Sequence, residues 1–321
     1  MTEENEVQPN ITLQQSPSGA VYLRSLDPEH AWNLAKDVVD YPAGIVDGYW
    51  QDEDGNFFDA TGMTRDGRDK AFRFVIVDPY RIGAFQTIAC VSDTYGTLNT
   101  RQIYEELHSD LENMDITVYP FEVYVSPNGG QQMLVLEVEN LSTWDGPDRM
   151  SMQIVLITSV DGSTRHAIKA VPFNKETRAP MSIYGHAYNL AARHTTTIKE
   201  RSINMIPSIT SLVGKWDSDI IPMMSLLCEE EFDQNEALAI ADELADEIGL
   251  AEKHKERVTN LYPTQHMATN ETRHNMYRVV SAICQTINDV GQEKRQWLNR
   301  HTEKMEKAMH RRIKNNIKRN K

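Results

Sequence analysis

The chain has 321 residues, a formal net charge of −14 and a pI near 5.2. That length can bury a substantial core and fold unaided, and the acidic balance excludes a protein that coats nucleic acid with its whole surface, because phosphate binding needs clustered Lys and Arg. The charge is unevenly placed: residues 294–321 hold eleven Lys or Arg against two Glu, a local +9 that leaves −23 on residues 1–293.

Residues 1–20 read as a disordered arm, polar and punctuated by Pro9, Pro17 and Gly19. Its start, Met1 to Gln15, is polar and acidic rather than a basic stretch leading into an apolar one. No apolar run in the chain approaches the length that spans a bilayer. Asp27 with Pro28 predicts a capped helix running through Trp32, Leu34 and Ala35 to about Val39. From Gly48 to Lys70 the turn dipeptides Asp54-Gly55 and Asp66-Gly67 lie between short apolar groups and predict hairpins.

Two buried strands are expected at Ala71–Val77 and Gly83–Val91, followed by a helix from about Asn99 or Thr100. Its apolar face is Ile103, Leu107 and Leu111, extended by Tyr104 and Met114, and Asn99 with Gln102 resembles a capping box. Thr117, Tyr119, Phe121, Val123 and Val125 alternate with their neighbours, and Pro127-Asn128-Gly129-Gly130 leads into Met133–Val138, a hairpin. A second hairpin is signalled by Asp161-Gly162 between Ser151–Thr158 and Arg165–Val171.

Beyond Pro180 the pattern becomes helical: Ile183–Ile206, interrupted in its first half, then a restart at Pro207. Asp233 with Glu236 caps a helix whose face is Leu238, Ala241, Leu244, Ala245 and Ile248, and Gly249 ends it. Glu271–Lys318 reads as one long helical stretch. Met276, Val280, Ile283, Ile287 and Val290 form a packing seam; past Gly291 come an apolar stripe (Leu298, Met305, Met309, Ile313, Ile317) and a basic one (Lys304, Lys307, Arg311, Lys314, Lys318, Lys321).

The expected fold class is therefore α+β: an N-terminal and central antiparallel β-rich body with a packed helix, then a helical C-terminal region ending in a long basic amphipathic helix. The corresponding segments are a 1–20 arm, a 21–180 β-rich domain, a 181–270 helical region and a 271–321 helix with the basic tail.

Chemistry is sparsely signalled. GxxxxGK[ST], GxGxxG and GxSxG do not occur. Cys90, Cys228 and Cys284 are far apart, without CxxC spacing, and read as small buried hydrophobes in a reducing compartment, the cytoplasm. Asp52-Glu53-Asp54-Gly55-Asn56 lacks the acids that complete a calcium loop and reads as a solvated turn. His186 and His194, eight apart, are too distant on one helix to share a metal. Glu229-Glu230-Glu231 with Asp217 and Asp219 reads as solvated surface.

No metal, cofactor or catalytic residue is assigned. A metal-dependent nuclease would require acids gathered only by the fold. Candidate nucleic-acid contacts are Lys304, Lys307, Arg311, Lys314 and Lys318, with Arg193, His194, Lys199 and Arg201 as a second patch at a predicted helix start. Trp297 is the only aromatic in the basic part, which favours backbone attraction over base stacking.

The motif order resembles a family of phage and plasmid genomes, the phage/plasmid-like proteins or domain of unknown function number nine hundred and thirty-two. The resemblance covers about Ala71 to Met305. It rests on the strand-strand-helix unit ending in Val91-Ser92-Asp93-Thr94-Tyr95-Gly96-Thr97-Leu98-Asn99, the hairpin Thr158-Ser159-Val160-Asp161-Gly162-Ser163, Arg193-His194-Thr195 and the helix around Thr286-Ile287-Asn288-Asp289. Val160 stands where the family often has His, and Phe173 to Ala191 replaces a segment rich in Cys, Asn and Thr.

The layout is also similar to single-strand annealing proteins of phage recombination, a fold analogy. The family has no settled activity to carry over; the basic tail, taken with the analogy, leads to the expectation of a non-enzymatic phage or plasmid protein of the host cytoplasm that binds DNA, preferentially single-stranded, in recombination or replication as a homo-oligomer, with no membrane partner. The competing expectation is an oligomeric scaffold or host-interaction protein whose basic tail docks on acidic surfaces.

Overall fold

The computed structural model describes residues 20–23, 26–47, 49–51, 53–54, 57–59, 61–63, 69–78, 82–92, 94–98, 100–126, 128–139, 141, 143–183, 189–264, 271–294 and 300–319. The fold is α+β, built on antiparallel sheets. Strands β1 (Ala20–Tyr22), β8 (Val118–Val125), β9 (Gln131–Val138), β10 (Met150–Ser159) and β11 (His166–Asn174) lie in that order. The outer edge of β11 is shared end to end by β12 (Ala179–Pro180) and β13 (Asn189–Ala192).

A second sheet is centred on β6 (Asp69–Val77), which pairs antiparallel with β2 (Ala43–Asp47), β5 (Thr61–Met63) and β7 (Gln86–Ser92). β3 (Tyr49–Gln51) and β4 (Phe57–Asp59) form the hairpin expected around Asp54-Gly55.

Local signals account for much of this. Helix α1 (Pro28–Val39) starts where the Asp27 carboxylate accepts from His30 N at 3.0 Å. Helix α2 (Thr100–Asn113) buries Thr100, Ile103, Tyr104, Leu107 and Leu111, while Met114, expected on that face, lies past the helix end and is exposed. Asn99, the expected capping residue, lies outside the described residues. The β10–β11 hairpin turns at Gly162, whose φ of +72° is a conformation that glycine adopts without strain.

The large sheet has two different faces. One presents Val123, Leu134, Leu136, Met152, Ile154, Leu156 and Ile168 to the main core, where α1 and helix α4 (Ile206–Val213) pack. The other alternates apolar Met133, Val135, Val155 and Val171 with polar Glu122, Glu137, Gln153 and Lys169.

The alternation expected through β8 fails at its centre. The register slips between Pro120 and Glu122, so Val118 and Pro120 face the main core before the bulge and Val123 and Val125 face it after. The bulge accommodates Pro120, which has no N–H for the ladder, and it turns Phe121 and Glu122 together toward the second face.

The helical region beyond residue 180 contains one departure from expectation. Asn189–Ala192 is strand, not helix, because it completes the edge of β11 through the pairs His166↔Ala192 to Lys169↔Asn189. Helix α3 (Ile198–Ile203) follows, and Pro207 opens α4 as a restart. A π-helical turn (Trp216–Ile220) leads into α5 (Ile221–Glu229). Helix α6 (Gln234–Glu247) is capped by Asp233, which accepts from Glu236 N at 2.8 Å, and ends before Gly249 at φ +72°. Helix α7 (Glu252–Leu261) precedes the C-terminal pair.

The stretch expected as one long helix is described as two, α8 (Met276–Lys294) and α9 (Arg300–Arg319), with 295–299 and hence Trp297 and Leu298 outside the described residues. All five seam residues of α8 are buried. A buried network ties α8 to the sheet: Asn174 Nδ2 donates to Asp148 Oδ2 (2.6 Å) and Tyr277 OH (2.9 Å), and Tyr277 OH donates to Asp148 (2.7 Å). No helix among the described residues is long and apolar enough to cross a membrane.

Candidate functional site

Helix α9 carries the basic stripe, and it is docked onto the body. Met305, Ala308 and Met309 are buried, as is Glu306, which meets the Lys169 ammonium on β11 in a buried ion pair. His301 Nδ1 lies 3.2 Å from the Ile248 carbonyl. On the opposite side Lys304, Lys307 and Arg311 are exposed at steps of three and four. Two arginines of this helix reach acidic α6: Arg311 to Glu247 at 2.6 Å and Arg312 to Glu243 at 3.2 Å. Lys314 and Lys318 fall on the last turns, where the helix backbone is described but the side chains lie outside the described part; Lys321 is outside it altogether.

The second patch sits elsewhere. Arg193, His194 and Thr195 occupy the link between β13 and α3 rather than a helix start, and Lys199 and Arg201 are exposed on α3 itself. α3 packs on α2 and β13, whereas α9 packs on α6 and α8, so the two patches ride on different elements.

His194 differs from its basic neighbours. Its ring stacks on Tyr95 (centroids 5.5 Å apart, 15° between planes), and burial lowers its pKa. Nearby His166 is fully buried without a hydrogen-bond partner at either ring nitrogen among the described residues, and burial pushes its pKa down to about 3. Two histidines held neutral are poor phosphate contacts; His194 belongs to a structural junction.

That junction gathers three separated motifs. Tyr95 OH donates to the Val160 carbonyl at 2.9 Å, Gly162 leaves only 3.0 Å to the Tyr95 ring for any added Cβ, and Gly96 lies so close to the Thr195 carbonyl that a side chain has no room. Asp161 receives Ser163 N at 2.9 Å, and Val160 N donates to the Gly130 carbonyl at 2.8 Å. Glycines, an aromatic and an Asp at fixed offsets were the sequence signal; their convergence was not legible from spacing.

A cavity of about 810 Å³ lies over the second face of the large sheet, walled by α8 and reached by Thr302 of α9. Sequence reasoning missed it because its polar lining comes from four strands. Lys175 pairs with Glu137 at 2.7 Å, Lys169 pairs with Glu306, and Asp289 pairs with Arg257 at 2.6 Å. Glu122 has no hydrogen-bond or ion-pair partner among the described residues, and burial pushes its pKa up to about 7. Gln153 Nε2 and Thr177 Oγ1 are buried with no protein partner among the described residues.

The remaining candidates fall to surface or core. Glu231 pairs with Arg273 at 2.9 Å, and the described residues contain no group of three or more His, Cys, Asp or Glu able to hold a metal ion. Asp52, Gly55, Asn56 and His186 lie outside the described residues. Of the cysteines expected to be buried, Cys284 is, Cys228 is half-buried and Cys90 is exposed on β7, a strand expected to be buried whose residues, Val91 apart, are exposed or half-buried.

No curated protein and no solved structure matches the chain. The family described as domain of unknown function (DUF932) matches residues 87–321, beginning later and ending later than the resemblance read from the motifs. The match takes in β7, the whole Tyr95–Asp161–His194 junction, the cavity and α9. With most of its length matched, the chain belongs to the DUF932 family.

Proposed function

We propose that this protein binds the sugar-phosphate backbone of DNA, preferentially single-stranded, through the outer face of α9, acting without catalysis in recombination or replication as a homo-oligomer. The observation that carries the reading is the exposed row Lys304, Lys307 and Arg311 on a helix whose opposite face is buried. Anchoring holds these cations at helical spacing on the acidic body, and cations on one face neutralise successive phosphates with release of counterions. The contacts of Arg311 and Arg312 to α6 are surface pairs of about 0–1 kcal/mol each, so phosphate can displace them. Arg193, Lys199 and Arg201 would extend the contact; His194 is withdrawn from it.

Fluorescence anisotropy with labelled single- and double-stranded oligonucleotides across a salt series tests the reading. Binding is expected to weaken steeply with salt. The variant Lys304→Gln/Lys307→Gln/Arg311→Gln is expected to lower the salt slope by about one for each phosphate left without its cation. An unchanged slope, or no binding at low salt, would overturn it.

A second reading, an oligomeric scaffold, is favoured by the same α9–α6 pairs, since a basic helix that docks on an acidic one within a chain can do so between chains. In that case Arg311→Glu/Arg312→Glu dissolves the oligomer, read by light scattering, without altering affinity for DNA.

A further inference from the structure

The cavity over the second face of the large sheet has a volume within the range of about 300–1,000 Å³ typical of ligand sites. Its lining restricts what could occupy it. Among the described residues, the cavity's cations Lys169 and Lys175 are each committed to a carboxylate and Arg178 is on the exposed side. An anionic headgroup therefore meets no spare buried cation among the described residues. A wholly apolar occupant is equally poorly matched. It would leave the buried amide nitrogen of Gln153 without a partner, at about 1–3 kcal/mol for a buried unsatisfied group, and would cover the half-buried Glu122 carboxyl with nothing polar to meet it.

What matches is a flat, neutral molecule with an apolar body and both donor and acceptor edges. The apolar surface is supplied by Val135, Val155 and Val171 on the floor and by Phe121 and Phe173, whose rings pack 6.3 Å apart on one wall. From the strand register Glu122 lies opposite Val135, Val135 opposite Val155, and Gln153 two residues along from Val155. That places the Glu122 and Gln153 backbones about 12 Å apart, a span in which two long side chains can take opposite edges of one ring system.

We propose that this cavity binds a single amine-bearing nucleobase. The Glu122 carboxylate accepts from the exocyclic amine, the Gln153 amide turns its Nε2, which is covered in the unliganded chain, to donate to a ring nitrogen or carbonyl, and Phe121 and Phe173 pack against the ring. The base can come from a free nucleoside or be splayed from a single strand; both present the same chemistry. The inference stands on the cavity alone and does not require α9 to bind backbone.

Isothermal titration of the full chain with adenosine, guanosine, cytidine and uridine tests it. The three aminated nucleosides are expected to bind with Kd below about 1 mM, a weak but specific small-ligand affinity, and uridine about tenfold more weakly. Glu122→Gln is expected to weaken the aminated nucleosides about tenfold, as loss of one charge-assisted hydrogen bond does, with the melting temperature kept or raised. Gln153→Leu should act in the same direction.

The source is read by adding short single strands. Tighter binding of a strand than of its nucleoside, abolished in Glu122→Gln, identifies a splayed base; equal or weaker binding identifies the free nucleoside. Nucleoside binding should survive the Lys304→Gln/Lys307→Gln/Arg311→Gln substitutions, which separates this site from the backbone contact. No heat with any nucleoside at millimolar concentration, uridine binding as well as the others, or unchanged affinity in Glu122→Gln would overturn the assignment.

Discussion

Half-buried Glu122 and fully buried His166 are titratable groups that set opposite pH dependences. Burial raises Glu122 from 4.5 to about 7, so between those values the folded chain keeps a proton that the unfolded chain has released. Stability from this residue is present at low pH and is lost as pH rises through 7. Glu122→Gln is accordingly expected to stabilise the protein above pH 7 by up to about 2 kcal/mol and to leave it little changed at pH 5, measured by urea unfolding at both.

His166 runs the other way: its pKa falls from 6.5 to about 3, so the unfolded chain takes up a proton first as pH drops. Its stability is present above pH 6.5 and is lost at about 1.4 kcal/mol per pH unit below it. His166→Phe, which keeps an apolar ring in a fully buried position, should flatten the urea midpoint between pH 6.5 and 5 by about one proton's worth. Neither effect was legible in the sequence. His166 owes its burial to strands on both sides, and Glu122 owes its direction to a bulge that a strict two-residue alternation through Phe121 and Val123 conceals.

Among the elements, α9 is held to the sheet by more than its apolar stripe. Lys169 and Glu306 are both buried, and removing one charge strands the other. Glu306→Gln is expected to cost about 3–5 kcal/mol, whereas Lys169→Met/Glu306→Leu should lie near wild type, since a well-packed apolar pair replaces a buried ion pair at little cost; chemical denaturation of the variants and the wild type decides it. Elements whose ends are decided by adjacent residues were readable in advance: Asp27 and Asp233 cap α1 and α6 through bonds to residues three positions on. Strand β13 was not, because four residues, Asn189–Ala192, carry too little pattern of their own and become strand through pairing with β11.

At the scale of the whole molecule, the basic C-terminus is part of the core. A chain ending at Glu293 would lose Met305, Glu306, Ala308 and Met309 from buried positions and leave Lys169 without its carboxylate. It is expected to unfold cooperatively at a melting temperature well below that of the full chain, or to aggregate, as followed by circular dichroism. Because Lys304, Lys307 and Arg311 are exposed, removal of their charge by substitution is expected to leave the fold intact and to isolate the electrostatic contribution.

The amino-acid sequence by itself determined the α+β class, the main hairpins, the helix caps and the separation of an acidic body from a basic end. These depend on patterns spanning a few residues, where backbone hydrogen bonding and side-chain periodicity act locally. Tertiary structure alone decided that the basic helix is docked on α6 and the sheet, that Tyr95, Asp161, Gly162 and His194 meet, and that four strands place Glu122, Gln153, Lys169 and Glu137 over one cavity. Strand order and register set those meetings, and both follow from burial summed over residues far apart in the chain, which no local window contains.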